Sequence, residues 1–191
     1  MASVATKLMT AEQFYEFANR PENRDRHLEL EDGEVVAYPL PGELEGVVCG
    51  NVVYLLRSYV RAVKRGFVCS NSMGIVLKKG PRATVYAPDI SLFRDYDRFE
   101  QHETKYLKTV PAMIVEVLAT NYSIGRLLQR VERILASGVQ VAWLVDPEAR
   151  NLSLFRKDQA PIVLEEKQDI ANLPEIPGFR CRVAELFAVN E

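Results

Sequence analysis

The sequence predicts a single α/β domain, and three stretches carry that prediction. Residues 112–146 run from an apolar segment, "AMIVEVLA", through an amphipathic one to a second apolar segment, "VQVAWLVDP". That is the pattern of a β-α-β unit, whose sheet is covered on both faces. "HLELEDGEVVAYPLP" alternates about Asp32-Gly33, as a β-hairpin does. "ELEGVVCGNVVYLLRSYVRAVKRG" repeats apolar residues at helical spacing and closes on basic residues and Gly66, as an amphipathic helix does. At 191 residues, 48% hydrophobic and 26% charged, the chain is long enough to bury one real core and reads as globular.

Each element has its own local reason. In "MTAEQFYEFANRPENR", Thr10 suits an N-cap, an acid occupies the first turn, and Pro21 lies beyond the end, so a short helix is expected. The hairpin and the long helix follow, then three short β-like pieces, "FVCSNS", "GIVLKK" and "ATVYAPDISLF". The segment 94–110 is polar and charged and reads as an excursion or loop. A strand over 112–119, a helix over about 123–137 and a strand over 139–146 form the β-α-β unit. "NLSLFRK" and "PIVLEEK" suggest a C-terminal hairpin, and "RVAELFA" a short closing helix. Repeats, low-complexity tracts and linkers rich in Pro, Gly or Ser are missing. One domain over 1–191 is therefore expected: a helix and hairpin at 10–40, a core at 43–156, and a hairpin and short helix at 151–191.

Bulk charge and cysteine usage narrow the function classes. The net charge is −2, so a nucleic-acid partner would have to be attracted by a local basic patch. Cys49, Cys69 and Cys181 are odd in number and scattered, which argues against a disulfide framework or a zinc site and for a reducing compartment. "MASVATKLMTAEQF" has neither the basic nor the apolar region of a signal peptide, and no stretch approaches a membrane span. A cytoplasmic protein with no membrane partner is the expectation.

The chemistry-bearing feature is Glu116, one carboxylate in the middle of an apolar strand. An unpaired carboxylate buried there costs several kcal/mol, on the order of a domain's whole stability margin. Upstream, Pro88 pushes Ala87 into an extended conformation, so that Asp89 opens another apolar strand. Two acids on adjacent buried strands can share a hard divalent cation such as Mg²⁺. Such an ion lowers the pKa of a bound water and steadies charge on a phosphodiester. The plainer readings are a turn or cap role for Asp89 and pairing of Glu116 with a buried arginine.

The ordered set "LELEDGEVV", "PDISLF", "PAMIVEVLATN" and "RVERILASGVQVAWLVDPEARNLSLFR" resembles the Uma family of restriction-endonuclease-like proteins, within the PD-(D/E)XK nuclease superfamily. The resemblance runs from about Thr10 to Arg156. It implies a restriction-endonuclease-like core, a mixed sheet flanked by helices, with acidic ligands from successive strands. By this resemblance Asp89 and Glu116 are metal-binding catalytic acids and Glu29 is a further acidic ligand. The cofactor implied is Mg²⁺, with Mn²⁺ as a substitute, and the reaction is hydrolysis of DNA phosphodiester bonds. DNA is the expected partner, and a homodimer is compatible with the pattern.

This chain also departs from the pattern. The superfamily lysine two residues past the second acid is Leu118 here. The family's Lys and Tyr on the following helix correspond to Arg130 and Ile134, and its Asp four residues before that Lys corresponds to Arg126. At about 100° per residue, Leu127, Leu128, Val131, Ile134 and Leu135 form the core face, with Arg130 on its border and Arg126 and Arg133 turned away. Arg130 can lean toward the acids as a phosphate clamp, but a guanidinium does not give up its proton. The alternative is a catalytically degenerate nuclease fold that serves as a nucleic-acid-binding or protein-interaction module, with Arg130 neutralising the acids.

Other features weigh less. His27 and His102 lack a second ligand at metal spacing. The basic run 57–66 suits either a phosphate backbone or a solvated helix C-terminus. Trp143 reads as core or as an interface anchor, and Asp146-Pro147 as a turn that ends a strand.

Overall fold

The computed structural model describes residues 8–94, 102, 105–119 and 124–189. In chain order the elements are α1 (Ala11–Ala18), β1 (His27–Glu31), β2 (Glu34–Tyr38), α2 (Glu43–Val63), β3 (Phe67–Cys69), β4 (Ile75–Lys78), β5 (Thr84–Tyr86) and β6 (Ile90–Phe93). There follow β7 (Met113–Val117), α3 (Ile124–Ala136), β8 (Val141–Asp146), β9 (Asn151–Phe155), β10 (Ile162–Glu165), β11 (Asp169–Ala171), β12 (Arg180–Arg182) and a 3₁₀ segment, Val183–Phe187. They divide between two compact units, one built from 1–40, 72–87 and 103–110, the other from 41–71, 88–102 and 111–191.

In the first unit, α1 begins with a capping box. The Thr10 hydroxyl accepts from the Gln13 backbone N–H at 3.3 Å, and the Gln13 side chain accepts from the Thr10 N–H at 3.0 Å. Strands β1 and β2 pair antiparallel through Asp32 and Gly33, whose φ values of 48° and 90° are the two positive angles a tight type I′ turn needs. They belong to a four-stranded sheet of order β2-β1-β5-β4. Its core includes Phe14, Leu28, Leu30, Val76 and Val85.

The expected loop at 94–110 is corrected where it is described. Leu107 is buried and bridges Ile75, while Tyr106 stacks on Phe14 with ring centroids 5.8 Å apart. Two adjacent apolar residues suffice to anchor an otherwise polar segment, and polarity averaged over the segment hides them. Residues 95–101 and 103–104 lie outside the described set.

The second unit is a six-stranded mixed sheet of order β10-β9-β8-β7-β6-β3. Strands β7 and β8 run parallel, joined through α3, and the other pairs are antiparallel. Alternate side chains divide its two faces. Ile90, Leu92, Met113, Val115, Val117, Val141, Trp143 and Val145 pack with Val48, Val52, Leu56 and Val60 of α2 and with Val183, Leu186 and Phe187. The intervening positions, Ile114, Glu116, Ala142 and Leu144, take the other face, where α3 lies. Trp143 is 1% exposed, so it is core and not an interface anchor.

Three sequence expectations are amended. Leu128 is 40% exposed and not core, because the buried stripe of α3 narrows to Leu127, Arg130, Val131, Ile134 and Leu135. The closing helix is a 3₁₀ segment. A two-stranded ladder, β11 with β12, lies in a stretch that suggested no strand, since three-residue strands are too short to show alternation. No helix is long and apolar enough to cross a membrane among the described residues.

Candidate active site

The site is built where β6 and β7 begin and end. Their antiparallel register pairs Leu92 with Met113, Ser91 with Ile114 and Ile90 with Val115. Continuing it by one residue sets Asp89 opposite Glu116, and directly opposed residues of an antiparallel pair share a face. Pro88 contributes by holding the chain extended into Asp89. The Asp89 carboxylate accepts a hydrogen bond from the backbone N–H of Val117 at 2.8 Å, which fixes it across the end of β7. Asp89 is half-buried, whereas Glu116 is 9% exposed.

The buried Glu116 has a cationic neighbour. Arg130, itself 7% exposed, brings a guanidinium nitrogen 3.7 Å from a Glu116 oxygen. Helical spacing put Arg130 at the border of the core face. In the structure it is drawn inside, because Glu116 on the facing strand gives its charge a reason to be there. Arg126 and Arg133 point outward and are exposed, as the same geometry requires.

A thiol on α2 lies within the field of both acids. Burial, and after it the charges of Asp89, Glu116 and Glu45, push the Cys49 thiol up to about 12. Cys49 and Glu45 lie one turn apart on α2. Sequence reading singled out neither, since that spacing occurs in every helix. Glu45 already accepts from the Gly42 N–H at 2.7 Å and so caps the helix.

The donor set can be weighed against a cation. No group of three or more His, Cys, Asp or Glu side chains that would enclose a metal occurs among the described residues. That is unlike a structural zinc site, which is caged by protein ligands. It suits a hard ion of the Mg²⁺ type, which keeps waters and takes one or two carboxylates plus substrate oxygens. Two opposed carboxylates, Asp89 and Glu116, fit such an ion.

The remaining sequence candidates are placed as follows. Glu29 is fully buried in β1, in the first unit, and accepts from the Ala87 N–H at 2.9 Å. Leu118 is half-buried just past β7, and its N–H donates to the Val145 carbonyl, so the strand pairing continues to it. Ile134 is core. His102 packs edge-on against Phe67, and His27 tilts against Tyr38. Asp146 accepts from the Glu148 and Ala149 N–H groups at 2.9 Å each, the expected turn.

Comparison with known proteins adds three findings. Residues 11–184 match the family model described as "Uma2: Putative restriction endonuclease". The chain is similar to the crystal structure of a "putative nuclease belonging to DUF820" from Anabaena variabilis, with 19% identity, 94% of this chain and 97% of that one covered, and a TM-score of 0.75. At that identity the likeness shows a common fold. No curated protein matches the chain.

Proposed function

The chain belongs to the Uma2 family, described as putative restriction endonucleases, and from that premise we propose that it is a Mg²⁺-dependent endonuclease acting on DNA phosphodiester bonds. The observation that carries the proposal is the opposition of Asp89 and Glu116 across β6 and β7. Asp89 and Glu116 would hold the ion, with Mn²⁺ as a substitute. A bound ion of this kind supplies a lowered pKa for an attacking water and neutralisation of charge on the phosphodiester.

The protein's own groups prepare that chemistry. The Val117 N–H orients Asp89, so its geometry is set before any ligand arrives. Arg130 lies beside the buried Glu116 and stands ready as an electrostatic clamp on a phosphate, without exchanging a proton. The proposal needs only Asp89 and Glu116 as ligands. It assigns Glu29 no required part.

A second reading has its own observation. The Glu116–Arg130 ion pair and Leu118 at the lysine position also describe a degenerate nuclease fold that binds nucleic acid or protein without cutting. Cleavage of supercoiled plasmid separates the two. Wild type is expected to nick plasmid with Mg²⁺ or Mn²⁺ and to stop with EDTA, while Asp89→Asn loses at least about 10²-fold in rate. No cleavage by wild type with either ion, or equal cleavage by the variant, would favour the second reading.

A further inference from the structure

Away from the acid pair, the second unit carries a cavity of about 610 Å³ whose lining includes Arg57, Arg61, Lys64, Arg65, Phe67 and His102 and, among the described residues, no acidic one. Arg57 and Arg61 follow i, i+4 spacing on α2, and Lys64, the left-handed C-cap of that helix at φ 53°, lines the same cavity, so the three form one basic stripe. Like charges at such spacing destabilise a helix. The usual compensation is missing: among the described residues none of the four cations forms an ion pair. Arg65 instead donates to the Arg94 carbonyl, at 3.4 Å.

Attraction to the helix dipole does not account for the stripe. That effect fades within the last turn, whereas Arg57 stands nearly two turns before Val63. Nor does composition account for it, because the whole chain is net acidic, at −2. The groove is also shaped deliberately. Gly66 has φ +82°, and a Cβ there would collide with the Phe93 carbonyl oxygen, so the chain turns under the cations only with glycine. Phe67, stacked on Phe93 at 4.7 Å, floors the cavity.

We propose that this stripe is a binding site for the phosphodiester backbone of duplex DNA, separate from the acid pair. The inference rests on the nuclease reading for its choice of ligand. Length selects an extended polyanion over a single phosphate: seven residues of helix rise about 10.5 Å, which spans about three phosphates of one strand. Along α2, Arg61 lies about 18 Å from Cys49, the residue in the field of Asp89 and Glu116. Duplex held here would therefore be gripped several base pairs from the point of cleavage.

The test is binding of a short fluorescent duplex in EDTA, where metal-dependent cutting is absent, followed across salt concentration. Three to four neutralised phosphates give a log–log salt slope of about −3 to −4 for wild type. The triple variant Arg57→Gln, Arg61→Gln, Lys64→Gln should bind more weakly whatever the sequence, with the slope reduced by about 0.9 per cation removed. Lys79→Gln, Lys157→Gln, Lys167→Gln makes the same change in net charge elsewhere and should bind as wild type; melting curves verify that both fold. Absence of binding by wild type, an unchanged slope in the first triple, or equal weakening by the second overturns the proposal. Loss of binding by the first triple in a protein that never cuts plasmid would support the groove and defeat the nuclease reading. Normal binding in one that cuts would do the reverse.

Discussion

Glu116 is a carboxylate that the hydrophobic effect alone would not place inside a sheet. It is buried together with Arg130, 3.7 Å away, and breaking a buried ion pair of this kind costs about 3–5 kcal/mol. Stability and chemistry thus meet in one residue. Leu118 shares the Glu116 face of the strand, where the resemblance expects a lysine to orient water and balance developing charge. Because Leu118 is only half-buried, a lysine there keeps contact with water and costs little in folding. Leu118→Lys, or Arg130→Lys separately, should raise Mg²⁺-dependent plasmid cleavage, since electrostatic groups of this kind are worth about 10²–10³ in rate. Measured rates no higher than wild type for both variants, in a protein that binds the ion, would show that the site is not built for this hydrolysis.

Among the elements, the ones legible in the sequence are those whose local signals agree. Thr10 with Gln13 marks α1, Asp32-Gly33 marks the β1–β2 turn, and the apolar–amphipathic–apolar succession marks β7, α3 and β8. Asp89 and Glu116 were legible as acids in strand contexts, but their opposition depends on the β6–β7 register, which is a tertiary fact. The 3₁₀ segment and the β11–β12 ladder were illegible because tertiary packing, not periodicity, holds them. Part of that packing is a buried ion pair: Arg156 donates two hydrogen bonds to Glu175, at 2.6 and 3.0 Å. Burial works to raise the Glu175 carboxyl, but the hydrogen bonds from Arg156 and the backbone outweigh it and hold it below its ordinary value of 4.5. A folded-state value below the unfolded one adds stability that is present above pH 4.5 and lost as pH falls through the lower, folded value. Glu175→Ala should therefore cost about 3–5 kcal/mol at neutral pH, with a smaller deficit in acid. Denaturant unfolding at both pH values checks this; an equal deficit at the two would contradict the assignment.

At the scale of the whole molecule, the net charge of −2 conceals a division of labour within the second unit. Acids gather where β6 and β7 meet, and cations that form no ion pair among the described residues gather along the C-terminal half of α2 and just beyond it. Composition reports only the sum; the sequence offered the run 57–66 as a candidate patch but left open whether it was a phosphate site or a solvated helix end. The chain belongs to the family of putative restriction endonucleases and shares the fold of the Anabaena protein, and the proposed chemistry depends on whether Asp89 and Glu116 act as one cation site. Calorimetric titration of Mg²⁺, and then Mn²⁺, into wild type and Asp89→Asn tests this most directly. The account predicts saturable binding by wild type and its loss in the variant. No binding by wild type, or the same isotherm for both proteins, would contradict it.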